Sequence, residues 1–245
     1  MGNDEREPIK KNVVLANSYI IEHLIGRGGN SLVYMALDIV TDQRVVIKEL
    51  FPYMNAYREK NTNLSQKICF LKQDKTKIIC FENEAIVLKK IISLEGLAKF
   101  KTFFYQNNTA YMVMEYVKGV NLEEWIQISG MISIEQTEKL FAPFIKNVKL
   151  MHNKNVIHRD ICPENIIVNK NNQLILIDFG SALIVNQDNS EIVSSVTYRR
   201  DYSPREQIEG KCIDENWMDM YAIEATIRQC MEIKGKTKME CVMKW

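Results

Sequence analysis

Three side chains near the middle of the chain could share a chemical task. Residues 158 to 180 read HRDICPENIIVNKNNQLILIDFG. The triplet His158-Arg159-Asp160 is followed by Asn165, and a second acid, Asp178, opens Asp178-Phe179-Gly180. Between them lie two apolar runs, Asn165 to Val168 and Leu174 to Ile177, around the polar stretch Asn169 to Asn172. Two apolar runs about a polar turn predict a β-hairpin. That hairpin puts Asp160 and Asn165 before its first strand and Asp178 after its second, at one edge. A carboxylate, an amide oxygen and a further carboxylate at one edge suit Mg²⁺ beside a nucleotide phosphate, since Mg²⁺ takes one or two protein oxygens and fills its shell with phosphate and water. Either half alone is equally a buried hairpin with solvated acids at its ends. The two together, in this order and spacing, argue for a site.

Earlier elements offer what such a site needs. Ser18 to Ile25 reads as a strand, Gly26-Arg27-Gly28-Gly29-Asn30-Ser31 as a Gly-rich turn, and Leu32 to Leu37 as the returning strand. Backbone without Cβ atoms can approach phosphates closely. Taken singly, such a turn is more often a plain hairpin. Val45 to Lys48 is a β-branched strand ending in a cation, which in isolation is an ordinary strand-end lysine. From about Lys77 to Ile92, Phe81, Ala85, Leu88 and Ile91 or Ile92 recur at helical spacing, and Glu82 and Glu84 compete as the anion for Lys48. Phe100 to Tyr105 and Ala110 to Glu115 form a second hairpin pattern. Asn121 caps a short helix, Ser133 with Gln136 makes a capping box, and Leu140, Phe144, Val148 and Met151 mark a long helix interrupted by Pro143.

HRDIxPEN followed by DFG resembles the catalytic core of a eukaryotic-type protein kinase, and KELFPY resembles a bacterial Ser/Thr group of that family. The resemblance covers roughly residues 18 to 230. It implies an α+β, two-lobed fold: a tail at 1–17, a β-rich N-lobe at 18–114 with one main helix, a hinge at 115–119 and a helical C-lobe at 120–245. It implies ATP and Mg²⁺ as cofactors and protein hydroxyls as acceptors. Asp160 becomes the base, with Asn165 and Asp178 the metal ligands. Lys48 contacts the α- and β-phosphates and pairs with Glu84, the acid directly before Ala85. Gly26, Gly28 and Gly29 match the Gly-rich loop, with Ser31 in place of its third Gly. Ile25, Val33, Val46 and Ile167 line the adenine site, Met114 is the gatekeeper, and Glu115 and Val117 belong to the hinge. Asp219 braces the backbone around His158 and Arg159. Arg159 is the receptor for a phosphate on the activation segment, where Ser194, Ser195 and Thr197 are the candidate acceptors; a merely flexible hydroxyl-rich loop reads equally well. Glu206 is the acid of the segment's closing element.

The totals agree with such a domain. The chain has 245 residues and a formal net charge of +1, from 32 basic and 31 acidic side chains, so no global field argues for nucleic acid or an anionic membrane. Six Cys lack paired short spacing and only three His accompany them, which fits reduced thiols rather than disulfides or a zinc site. No apolar run reaches bilayer length, MGNDEREP has no signal-peptide core, and Arg6 stands where myristoylation expects Ser or Thr. A cytoplasmic protein, bacterial by its Lys, Ile and Asn content, is the expectation. Residues 1 to 12 are expected to fray.

Two features depart from the family's pattern. Cys162 stands where most Ser/Thr kinases carry a Lys that touches the γ-phosphate. Losing one aimed cation costs ~2–4 kcal/mol of transition-state stabilisation by analogy with other lost electrostatic contacts. The chain also ends at Trp245 without the further helices that normally follow Asp219. This leaves three alternatives: a natural minimal kinase, a homodimer that covers the exposed face, or a truncated product. A protein Ser/Thr kinase is the leading expectation. An ATP-binding pseudokinase scaffold and a small-molecule phosphotransferase are the rivals.

Overall fold

The computed structural model describes residues 4, 6–59, 66–71, 75–185, 199, 201–209 and 215–231. The chain divides into two compact units, one of residues 1–85 with 99–116 and the other of 86–98 with 117–245. Among the described residues, no helix is long and apolar enough to cross a membrane.

The first unit is built on an antiparallel six-stranded sheet. Its strands are β1 (Val14–Leu15), β2 (Tyr19–Arg27), β3 (Ser31–Asp38), β4 (Gln43–Leu50), β7 (Phe100–Gln106) and β8 (Thr109–Glu115), in the order β1-β2-β3-β4-β8-β7. The stretch from 51 to 76, irregular by its sequence, contributes a small hairpin of β5 (Ala56–Arg58) and β6 (Ile68–Phe70). β-branched and aromatic residues recur along the strands because they pack well on a pleated surface. Leu32, Tyr34 and Ala36 of β3, Val45 and Ile47 of β4, and Tyr111 and Val113 of β8 form its core.

A charge sits inside that core. Glu49 is fully buried and accepts from the Tyr34 hydroxyl at 2.7 Å, the Tyr111 hydroxyl at 2.8 Å, and Arg58 Nη2 and Nη1 at 2.7 and 3.1 Å. Burial, and then the Glu49 charge, push both phenols above their ordinary range, so they remain donors. Arg58 is completed by the Gln66 and Glu7 carbonyls and lies 5.1 Å from the Phe51 ring centre. For residues 6–12 the expected fraying is overturned. Ile9 is 4% exposed and donates its N–H to Tyr34 at 3.1 Å, while Arg6 is 7% exposed among backbone carbonyls. An apolar side chain and a multiply bonded guanidinium hold that segment down, which composition alone does not reveal.

In the second unit, β9 (Gly119–Asn121), β11 (Ile166–Asn169) and β12 (Leu174–Leu176) form a sheet in the order β12-β11-β9. A separate ribbon pairs β10 (Val156–Ile157) with β13 (Leu183–Ile184). The helices are α2 (Leu122–Ser129), α3 (Ile134–His152), α4 (Arg205–Ile208) and α5 (Glu215–Met231). Asn121 caps α2 by accepting the Glu124 N–H at 2.8 Å, and Ser133 and Gln136 form the reciprocal box at the start of α3. Pro143 lies inside α3 without ending it. Gly119 is required by close approach: a Cβ there would lie 2.2 Å from the Val168 carbonyl oxygen across the β9–β11 pair. The helix α1 (Lys75–Lys90) carries residues of both units; Phe81, Ala85, Leu88 and Ile91 are buried, and Ile92 is 48% exposed, which settles the choice between the last two.

Replacing Arg58 with Met strands the buried Glu49 charge. Unfolding in urea is expected to show a loss of ~3–5 kcal/mol, the usual cost of breaking a buried pair from one side. A loss below about 1 kcal/mol would show that water or the two phenols satisfy Glu49 without Arg58.

Candidate active site

The first unit presents several of the candidate site residues on one face of the sheet. Val33 lies opposite Lys48, and Val46 lies opposite Met114. Directly paired residues share a face, as do residues two apart on a strand, so Val33, Val46, Lys48 and Met114 all line the same side. Lys48 Nζ meets both carboxylate oxygens of Glu84 at 2.8 and 2.9 Å, and both residues are buried. Glu82 instead accepts from the Tyr105 hydroxyl, so α1 turns Glu84 and not Glu82 to the lysine. Glu115 closes β8, and Val117 follows it before β9.

The turn between β2 and β3 is tied down through its carbonyls. Arg6 Nη2 donates to Gly28 O at 2.7 Å, Tyr53 N to Gly29 O and Phe51 N to Asn30 O, both at 2.9 Å. Lys77 holds the Asn30 side chain at 2.8 Å. Gly28 N closes the turn on Ser31 O at 2.9 Å. Among the described residues, the N–H groups of Gly29 and Asn30 donate to no protein atom, and a Cβ at Gly29 would meet nothing within 4 Å. Two free donors beside open space fit an anion such as a nucleotide phosphate. Gly26 lies on β2 opposite Val33, and Ile25 beside it is 45% exposed.

In the second unit the predicted hairpin is present, with Ile166 paired to Leu176, Ile167 to Ile175 and Val168 to Leu174. Asn165 O accepts the Ile177 N–H at 2.9 Å, so the ladder brings Asn165 and Asp178 to the same end. Asn165 is 6% exposed and its Nδ2 donates to Asp160 O at 2.9 Å and Asp160 Oδ2 at 3.0 Å. Its Oδ1 takes no partner among the described residues, which leaves an amide oxygen for a cation. Asp178 is exposed, with φ at +58° and its Oδ1 accepting from Gly180 N at 3.4 Å. An oxygen pair of this kind fits Mg²⁺, which needs no all-protein cage. Among the described residues, no three His, Cys, Asp or Glu side chains come together as such a cage.

Asp219 organises the approach to Asp160. Fully buried on α5, it accepts the N–H groups of His158 at 2.9 Å and Arg159 at 2.8 Å, and meets His152 Nε2 at 2.8 Å. Arg159 is thereby held at φ +65°, a backbone state that a long side chain rarely adopts. The His158 ring packs edge-on against Phe179, with centroids 4.7 Å apart. Its Nε2 faces Ile177 O at 3.2 Å, and its Nδ1 accepts the Asp160 N–H at 3.3 Å. These bonds require the proton on Nε2. Arg159 Nε donates to Ser181 O at 2.8 Å. Cys162 is fully buried, and desolvation pushes its thiol up to about 12, against a smaller lowering by the Arg199 charge.

A further contact lies outside what local spacing encodes: Arg199 Nε donates to Asp160 Oδ1 at 2.9 Å, and its Nη1 meets Glu164. Its one signal was the missing charge at Cys162. The candidate phosphate acceptors Ser194, Ser195 and Thr197 lie outside the described residues, as does the side chain of Glu206.

The sequence matches the protein kinase domain family over residues 19–236. The chain belongs to the protein kinase domain family. It is 33% identical over 225 residues to serine/threonine-protein kinase D of Synechocystis sp., covering 88% of this chain and 41% of that protein. It is 28% identical to serine/threonine-protein kinase PknA of Nostoc sp., covering 93% and 39%. A probable serine/threonine-protein kinase, YbdM of Bacillus subtilis, is 31% identical, covering 71% and 61%. The kinase domain therefore spans about two-fifths of the length of the first two relatives. Among solved structures, "PpkA-294 apo form" superposes with a TM-score of 0.74 at 25% identity, covering 91% of this chain and 78% of that one. The α+β kinase fold and the bacterial Ser/Thr kinase kinship expected from the motifs are both found.

The buried, high-pKa thiol leads to a direct expectation. Native protein treated with iodoacetamide at pH 8 should leave Cys162 unlabelled by peptide mass analysis, and unfolding in urea should expose it to full labelling. Rapid native labelling would show that the residue is reached as a thiolate.

Proposed function

We propose that this domain transfers the γ-phosphoryl group of ATP to Ser or Thr hydroxyls of proteins. The observation that carries the reading is the Asp160–Asn165 pair, in which one amide group steadies the carboxylate and leaves its own oxygen for a metal. Kinship to proteins named as serine/threonine kinases supports it.

Each residue then has a task. Glu84 holds Lys48 so that its ammonium is aimed at the α- and β-phosphates rather than wandering in solvent. The Gly29 and Asn30 N–H groups cradle phosphate oxygens. Val33, Val46 and Met114 give adenine an apolar wall, to which Ile25 and Ile167 add, and the backbone at Glu115 and Val117 pairs with its polar edge. Asn165 and Asp178 would hold Mg²⁺, whose charge would offset that on the phosphate oxygens. Asp160 orients the acceptor hydroxyl and accepts its proton while the hydroxyl oxygen bonds to the γ-phosphorus; the bond to the bridging oxygen breaks and ADP leaves. Arg159, fixed by Asp219, is positioned for a phosphate on the 181–204 segment, with Ser194, Ser195 and Thr197 the proposed acceptors.

Purified protein with labelled ATP, Mg²⁺ and a generic basic protein should label protein Ser or Thr. Asp160→Asn should lower the rate about 10²–10⁴-fold, the range for a lost general base, with nucleotide affinity little changed. Tight nucleotide binding with no transfer in wild type would make this a scaffold, and label on a sugar or choline in place of protein would make it a small-molecule phosphotransferase. Glu84→Gln should weaken nucleotide binding by loosening Lys48; unchanged affinity and rate would remove the pair from the mechanism.

A further inference from the structure

The carboxylate of Asp160 has a cation beside it, and that cation comes from a distant part of the sequence. Arg199 Nε donates to Asp160 Oδ1 at 2.9 Å while Nη1 meets the Glu164 carboxylate. The guanidinium therefore bridges the two acids that flank Cys162 in sequence, where the thiol itself is buried and carries no charge. The arginine does not reach in from a loose strand. Its N–H donates to Ser203 Oγ at 3.0 Å, and its carbonyl accepts the N–H groups of Tyr202 at 2.9 Å and Ser203 at 2.7 Å. This tight turn is anchored by the burial of Ser203 and Pro204 and by Gln207, whose Nε2 donates to Arg159 O at 3.1 Å.

Charge makes the contact matter. Asp160 and Glu164 together would repel the phosphate that must come to the acceptor hydroxyl. Arg159 aims its Nε at Ser181 O, and Arg199 is the basic side chain that pairs with Asp160 among the described residues. Arg199 is 37% exposed, and its Nη2 has no partner among the described residues. A guanidinium presents several donors in one plane, so it can hold a carboxylate with one edge and a phosphate oxygen with another.

We propose that Arg199 is the cation of the transfer centre, fixing the Asp160 carboxylate and meeting the transferred phosphate in place of a basic side chain at position 162. In this chain the charge stands on the segment that precedes α4 and not on the stretch that carries the base. The inference rests on the kinase reading.

The test compares wild type with Arg199→Ala, Arg199→Lys and the double variant Arg199→Ala with Cys162→Lys, each checked for folding by its thermal midpoint. Calorimetry measures affinity for Mg²⁺ with ADP and for Mg²⁺ with a non-hydrolysable ATP analogue. Arg199→Ala should weaken the analogue about tenfold and leave ADP unchanged, because only the third phosphate meets the guanidinium. Its phosphorylation rate should fall about 10²–10³-fold, as for other lost transition-state donors. Arg199→Lys should retain part of both properties, and the double variant should recover most of the rate. Equal effects on the two nucleotides, or a lost rate that Cys162→Lys does not restore, would overturn the proposal and leave Arg199 a fastener of its segment. If Arg199→Ala does not fold, Arg199→Lys decides by the same ratio. A wild type that transfers nothing yet separates the analogue from ADP through Arg199 would defeat the kinase reading and keep only the contact between Arg199 and the third phosphate. A wild type that binds neither nucleotide defeats both.

Discussion

A single buried carboxylate, Asp219, sets the backbone on which the second unit's chemistry rests. It occupies the interior with no exposure, satisfied by two main-chain N–H groups and a histidine. Burying such a charge is tolerable only because its oxygens are this fully bonded. In return it holds Arg159 in a left-handed conformation that costs of order 1–3 kcal/mol and that surrounding structure must impose. From that bend the chain delivers Asp160 to Asn165. Asp178, at the same end of the hairpin as Asn165, also sits at positive φ, a state that an Asp adopts more readily than an Arg.

Both units use one device, a buried acid that fixes cations or donors needed elsewhere. Glu49 gathers Arg58 and two phenols, Glu84 holds Lys48, and Asp219 gathers backbone donors. These pairs add little net stability compared with apolar packing, but removing one partner is expensive. Their value lies in geometry: each defines one position for a group that would otherwise sample many. The proposed Arg199 contact extends that logic to a residue whose partner is the base itself.

Much of this was legible because local spacing encodes it. The hairpin from Asn165 to Ile177 follows from two apolar runs and a polar turn, and the caps at Asn121 and Ser133 follow from side chains that reach only their own first turn. The choice of Glu84 over Glu82 came from family register, and α1 geometry agrees. What escaped were contacts with no repeating spacing. No periodicity links Arg58 to Glu49 or to the Gln66 carbonyl, Ile9 to Tyr34, or Arg199 to Asp160. Polar N-terminal composition suggested fraying because composition reports average solvation, whereas one arginine with several carbonyl partners is enough to order a segment.

The strap formed by Arg6 has a practical meaning for anyone cutting this domain from its gene. The family match begins at residue 19, and a boundary drawn there would seem safe. It would remove Ile9 and Leu15 from the sheet's core and take away the guanidinium that grips the Gly28 carbonyl from behind. The glycine turn would then keep its sequence and lose part of its backing. A domain's edge, in this molecule, is set by the last buried side chain and not by the first recognisable motif.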